Sequence, residues 1–266
     1  MPISKQAKGK IEDLVDKIVC SYLSKAEKNP KLDSGNPFVL ALLKDFEPLI
    51  HNIHGLKTSL GSEMEKIAEI IALDVWGQKN INRKTNRKII LPKNVFQTID
   101  TIINELSNAQ RLSNYHEETK RIIASCNKPS KETEQHTYEF DLELYDDKEK
   151  HHYFLEMKGP DPNTTEVPGA KKRLMAELAW GYMNKNNENI DAQLAVYYNN
   201  KFPAPYKNPK VLYYFDPNGG LIVHEKFWNF LGKDENTYGE LLNVFRVYGE
   251  KNKKKIWNGF SKLIRI

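Results

Sequence analysis

Residues 136–158 read HTYEFDLELYDDKEKHHYFLEMK. Up to Leu144 the stretch alternates, with Glu139, Asp141 and Glu143 on one side and Tyr138, Phe140, Leu142 and Leu144 on the other, the two-residue period of a half-buried strand. A charged turn through Asp146, Asp147 and Lys148 follows, and residues 152–158 then predict the returning strand of a hairpin. Glu156 and Lys158, two apart, share one face of that strand. If the register pairs these faces, carboxylates and an ammonium converge from neighbouring strands near a strand end. Carboxylates at bonding distance repel one another unless a cation lies between them, and their hard oxygens suit Mg²⁺. A lysine beside them can hold a phosphate oxygen or a water while the metal stabilises charge developing on oxygen, which is what phosphodiester cleavage needs. A solvated acidic face on an antiparallel hairpin is the alternative these residues leave open. The triplet E-x-K alone decides little, since it recurs at Glu118-Thr119-Lys120 in a helical stretch with no strand around it.

The order of parts, an acidic strand, a hairpin, an apolar strand ending in E-x-K, a loop and a helix, resembles the PD-(D/E)xK nuclease superfamily. Asp141 stands at its first acidic position and Glu156 and Lys158 at the other two, with Phe140 where the motif has proline. Four pieces are similar to the TdeIII-like branch of type II restriction endonucleases: TSLGSEMEKIAEIIA at 58–72, FDLEL at 140–144, YFLEMKGPDPN at 153–163 and FWNFLGKDENTYGELLNVF at 227–245. The resemblance implies an α/β fold, a PD-(D/E)xK core with a mixed central sheet flanked by helices, joined to a helical N-terminal half. It implies a Mg²⁺-dependent endonuclease of double-stranded DNA, with Asp141, Glu156 and the backbone carbonyl of Met157 as metal ligands and Lys158 serving the attacking water. Glu65, on a helix ahead of the hairpin, would be an accessory ligand or water holder, although a solvated pair with Glu69 is what those residues suggest by themselves. Glu143 is held in reserve for Asp141, because a one-pair shift of the hairpin would exchange their roles. The resemblance further implies a short palindromic site of the GGNCC kind and a cognate DNA methyltransferase in the same system.

Composition is compatible with this reading without requiring it. The 266 residues are 39% apolar and 28% charged, with a formal net charge of +5 and an isoelectric point near 8.9, a mild excess that suits a polyanionic partner. Basic residues cluster at 79–93 and 251–255, while 132–149 is acidic. No apolar run reaches membrane-spanning length, the first residues MPISKQAKGKIEDL lack the apolar core of a secretory signal, and Cys20 and Cys126 sit at no zinc spacing. An intracellular, cytoplasmic protein with reduced thiols is expected.

Along the chain, Ile11, Leu14, Val15, Ile18 and Val19 predict an amphipathic helix over 5–28, and a second helix is expected over 38–51. The run 78–88, with Arg83, Lys84, Arg87 and Lys88 among asparagines, reads as a polar loop suited to phosphate and base-edge contact, or as a plain charged loop. Residues 127–135, NKPSKETEQ, are the clearest break, so a helical part over 1–130 and a catalytic α/β part over 131–266 are expected, forming one compact unit. After Lys158 a Pro- and Gly-rich loop offers Asn163 to DNA, and a crossover helix over 169–184 begins with Lys171, Lys172 and Arg173, of which Lys171 is a further DNA-contact candidate. DAQLAVYYN and KVLYYFDP read as buried strands, and LIVHEKFW as a strand or the start of a helix. A double-strand cut at a palindrome is most simply made by a homodimer, and the apolar surplus at Ile11, Leu14, Ile18 and 38–43 is where its contact is expected. The rivals are a repair or junction-resolving nuclease with the same site and a non-catalytic DNA-binding protein.

Overall fold

The computed structural model describes residues 3–28, 47–185 and 188–262. The chain divides into two compact units, one of residues 1–74 with 232–266 and one of residues 75–231.

In the first unit, α1 (Lys5–Lys28) and α2 (Glu47–Trp76) accompany α8 (Thr237–Lys251) and α9 (Lys253–Ser261). Ser4 caps α1, its Oγ accepting the N–H of Ala7 at 3.1 Å, while the Asp74 carboxylate takes the Ser4 N–H at 2.8 Å. The predicted apolar stripe of α1 is used inside this unit: Ile11, Val15 and Ile18 are buried, as are Ile67 and Ile71 of α2. The surplus expected for a dimer contact is therefore absent at Ile11 and Ile18, and residues 38–43 lie outside the described residues. Asp16 of α1 accepts hydrogen bonds from Tyr248 and Lys255, each at 2.8 Å. The helix α2 continues through Gly55, beyond the end at 51 expected for the second helix. A Cβ there would come within 2.6 Å of the Tyr22 hydroxyl, so glycine permits the close approach.

The second unit holds β1 (Ile81–Pro92), α3 (Lys93–Ser107), α4 (Tyr115–Cys126), β2 (Thr133–Asp146), β3 (His151–Lys158), α5 (Glu166–Asn184), β4 (Asn189–Val196), α6 (Pro209–Leu212), β5 (Leu221–Val223) and α7 (Glu225–Gly232). One five-stranded sheet runs β1-β2-β3-β4-β5; the first three strands are mutually antiparallel, whereas β3, β4 and β5 are parallel neighbours. This is the expected mixed sheet, with α5 as the crossover between β3 and β4. On one side α3, α4 and α5 pack through Phe96, Ile99, Ile122, Leu174 and Leu178 against Ile89, Phe154 and Leu194. Towards the other side Tyr153 meets Phe230 of α7 at 4.9 Å between ring centres, and Trp228 donates its indole N–H to the Tyr197 carbonyl at 2.7 Å. The hairpin turns where Asp146 accepts the N–H of Lys148 at 2.9 Å and Lys150 takes a left-handed φ of 52°.

Two local expectations are corrected. The run 78–88 is no loop: a 3-10 turn (Gln78–Asn80) leads into β1, paired with β2 from Ile81 opposite Leu144 to Pro92 opposite Thr133. KVLYYFDP is no strand, because Asn208 caps the N–H of Lys210 at 3.0 Å and Pro209 opens the short helix α6. Of the break expected at 127–135, residues 127–132 are a short connection from α4 to β2 within the second unit and 133–135 already belong to β2, while LIVHEKFW supplies both β5 and α7.

Candidate active site

The ladder between β2 and β3 runs from Asp146 opposite His151 to Leu142 opposite Leu155, which puts Asp141 and Glu156 one step beyond its last pair. Asp141 accepts the N–H of Met157 on its Oδ2 at 2.7 Å, so a side chain continues the strand pairing where the backbone ladder stops. Lys158, the last residue of β3, brings its ammonium to 2.9 Å from Glu156 Oε1 and 3.9 Å from Asp141 Oδ2. Side-chain exposure rises from 4% at Glu156 through 13% at Asp141 to 23% at Lys158, so the cluster opens to solvent at the strand end. Burial by itself would lower the Lys158 pKa, but Glu156 and then Asp141 outweigh it and hold the ammonium above the ordinary lysine range. In this arrangement Lys158 is a charged donor. The fourth member comes from α5: Arg173 bonds Glu156 Oε1 through Nη2 and approaches Oε2 through Nε at 3.4 Å. Two carboxylates thus face two cations.

Strict alternation does not continue through Asp141. Tyr138 packs on the core that includes Phe154, and Phe140 lies 4.5 Å from the Arg87 guanidinium, yet Arg87 also reaches Glu143, which stands opposite Phe154. Even-numbered residues before Asp141 and an odd-numbered one after it therefore share a side. The acidic face predicted for Glu139, Asp141 and Glu143 is divided at its middle member.

Glu143 belongs to a separate buried cluster. Its carboxylate accepts Arg87 at 2.5 Å and Asn82 at 3.0 Å, with His152 and Lys185 each 3.6 Å away. Burial pushes its pKa up, but the neighbouring His152, Arg87 and Asn82 bring it down to about 2. Arg87 holds Glu177 as well, at 2.7 Å, and its guanidinium lies 4.0 Å from the Trp180 ring centre. Glu177, 1% exposed, has its pKa raised by burial to about 7 even against Arg87. It is Asp141 that Lys158 meets, and the carboxylate of Glu143 is committed to Arg87.

The other sequence-derived residues are dispersed. Glu65 lies half-buried on α2 of the first unit. Arg83 and Lys84 are in β1, Arg83 half-buried, and Lys88 is exposed on the same strand. Asn163 is exposed and donates to Glu166 at 3.0 Å. Two DNA-contact candidates face inward and are corrected: Arg87, 13% exposed, is consumed by Glu143 and Glu177, and Lys171, 3% exposed, is paired with Glu118 at 2.6 Å. Arg173 and Glu177 were legible only as part of a helix. Their four-residue spacing on α5, one turn apart, puts them on one helix face.

The donor set fits a hard divalent ion: two carboxylates from adjacent strands flank one ammonium beside a solvent opening, and Mg²⁺ is commonly held by one or two carboxylates with water completing its shell. Among the described residues no group of three His, Cys, Asp or Glu gathers as a metal site. No described helix is long and apolar enough to cross a membrane.

Comparison with known proteins gives the family. The family model described as type II restriction endonuclease, HinfI, matches residues 3–249. The type II restriction enzyme MjaII of Methanocaldococcus jannaschii is 28% identical over 215 residues, 76% of this chain, which spans only 55% of that protein. The type II restriction enzyme HgiCII of Herpetosiphon aurantiacus is 26% identical over 250 residues, covering 91% of this chain and 85% of that protein.

Proposed function

Since the chain belongs to the HinfI family of type II restriction endonucleases, we propose that it cuts double-stranded DNA at a short palindrome, using Asp141, Glu156 and Lys158 with Mg²⁺. The observation that carries this reading is the contact of one ammonium, on Lys158, with both carboxylates at an open strand end. The mixed sheet and the order of its strands support a PD-(D/E)xK core. A catalytic part beginning at residue 131 would lose β1, so the core is drawn at residues 75–231.

Mg²⁺, when bound between the carboxylates, supplies positive charge to the phosphoryl oxygens and acidifies water. Asp141 and Glu156 hold it, with the Met157 carbonyl as a third oxygen. Lys158, kept charged by its neighbours, donates to a phosphate oxygen or orients the attacking water, and it stabilises the charge that builds in the transition state. DNA approaches the end of β3 where Lys158 lies, near the loops at 159–165 and 197–208. Recognition of a GGNCC-like palindrome, action as a homodimer, and a partner methyltransferase that protects the host's own copies of the site in the cytoplasm complete the proposal.

Digestion of plasmid DNA with Mg²⁺, followed by end sequencing, tests it. Discrete fragments with uniform ends are expected, and none in EDTA. Glu156→Ala and Lys158→Ala should each lower the rate by roughly two to four orders of magnitude, because positioning and charge stabilisation act as a unit. Lys158→Ala should still bind DNA in Ca²⁺. Cleavage by either variant within tenfold of the wild-type rate removes the site assignment, and nicking confined to branched DNA would favour a junction-resolving enzyme.

A further inference from the structure

Arg173 is the one member of the four-residue cluster to which the proposed chemistry gives no task. It reaches Glu156 from α5, across from the strand that carries Lys158, and it engages both carboxylate oxygens. Glu156 is 3% exposed, so its charge needs a partner when no metal is present. Arg173 meets that need while keeping 29% of its side chain exposed. Asp141, Glu156, Lys158 and Arg173 sum to no net charge. A divalent cation added to this set leaves two surplus positive charges beside the same carboxylates, and a guanidinium is the side chain whose planar fork suits phosphate as well as carboxylate.

We infer that Arg173 holds the place of the metal on Glu156 in the DNA-free enzyme and passes to a DNA phosphate when the cation binds. The inference rests on the assignment of Glu156 as a metal ligand. Two consequences follow from the exchange. Arg173 competes with metal in the absence of DNA, so free enzyme binds cations weakly. A phosphate that accepts Arg173 removes the competitor, so DNA and metal each strengthen binding of the other by the same factor.

The test uses the full chain and Mn²⁺ as the probe, its binding followed by loss of the free-ion paramagnetic resonance signal. Arg173→Ala should bind Mn²⁺ several-fold more tightly than wild type without DNA, yet cleave DNA about a hundredfold more slowly in a single turnover, the scale of one lost transition-state donor. Arg173→Lys, which retains the charge without the fork, should fall between them, and Lys172→Ala should leave both quantities unchanged. In Ca²⁺, Arg173→Ala should flatten the salt dependence of DNA binding by about 0.9 in log–log slope, one phosphate contact, and should leave it unaltered in EDTA. A role confined to bracing Glu156 would weaken Mn²⁺ binding or leave it alone, and either result overturns the inference. Equal flattening in Ca²⁺ and EDTA also overturns it. Glu156→Gln separates the two layers. If it abolishes Mn²⁺ binding while Arg173→Ala fails to tighten it, only the exchange is wrong; if Glu156→Gln binds Mn²⁺ as wild type does, the metal site itself is wrong.

Discussion

Arg87 has one charge and two buried carboxylates to share it between. Glu143, which also has His152 and Asn82 beside it, is pulled down to about 2 by His152 and then Arg87, while burial pushes Glu177 up to about 7. The signs differ accordingly. The contribution of Glu177 is full below its ordinary value of 4.5 and is lost as pH rises through about 7, since the folded state then retains a proton that the unfolded chain has released. The contribution of Glu143 is full above 4.5 and is lost as pH falls towards about 2. Between pH 5 and 7.5 the declining limb belongs to Glu177. Replacing it by Gln should therefore flatten the loss of unfolding free energy across that interval by roughly 1 to 3 kcal/mol, measured by urea titration at the two pH values. Parallel curves for variant and wild type would show that Glu177 is ionised throughout.

The strand β1 shows what a sequence can hide. Its composition, INRKTNRKIILP, is that of a charged loop, because the position that most needs burial is filled by arginine. Arg87 lies among the aromatic rings of Phe140, Phe154 and Trp180, and no scale of apolar periodicity marks a buried cation whose partners are 56 and 90 residues away. The hairpin of β2 and β3 was legible, as were β4 and the crossover α5, since each is rich in apolar residues, even though the alternation of β2 breaks at Asp141. Asp141, Glu156 and Lys158 were legible as a motif. Arg173 was not distinguishable from Lys171 and Lys172 beside it, although the three have different fates: one is buried on Glu118, one bonds Asp100 and one bonds Glu156. The helix α6 was missed although its signals, Asn208 and Pro209, are local ones, because the apolar run VLYYF outweighed them. A contrast within β1 tests the corrected reading. Arg87→Met should destabilise the protein by about 3 to 5 kcal/mol, because two carboxylates lose their buried counter-ion. The exposed Lys88, changed to Ala, should leave stability intact and weaken binding to all DNA sequences alike. If Arg87→Met melts with the wild type and alters only base preference, the inward placement of this side chain is wrong.

At the scale of the whole molecule, if the proposed cluster cuts one strand, a break in both strands of a palindrome calls for two chains related by a two-fold axis. Light scattering of the enzyme with a short duplex carrying its site, in Ca²⁺, should give two chains per duplex; a one-to-one complex that still cuts both strands would refute the dimer. Because α1 spends its apolar stripe within its own unit, Ile11→Ala should disturb folding before it disturbs assembly.

The loops that leave β3 and β4 are stitched together at the point where β3 ends. Tyr206 donates its hydroxyl to the Pro160 carbonyl at 2.9 Å, Asn208 joins the same oxygen at 3.1 Å, and the N–H of Tyr197 bonds the carbonyl of Lys158 at 3.1 Å. A displacement in either loop is thus passed to the backbone of Lys158 through one or two hydrogen bonds. If Lys158 serves the proposed reaction, an enzyme wired in this way would have no need to refuse a wrong site by failing to bind it. It would hold a near-match and keep its lysine out of alignment, so that fidelity would become a property of timing and not of affinity. Tyr206→Phe, which removes one stitch, should then leave the melting temperature within a few degrees and DNA affinity unchanged while raising the rate at sites with one altered base pair relative to the true site. Equal discrimination in variant and wild type, measured under single turnover, would mean that the two loops read DNA without informing Lys158.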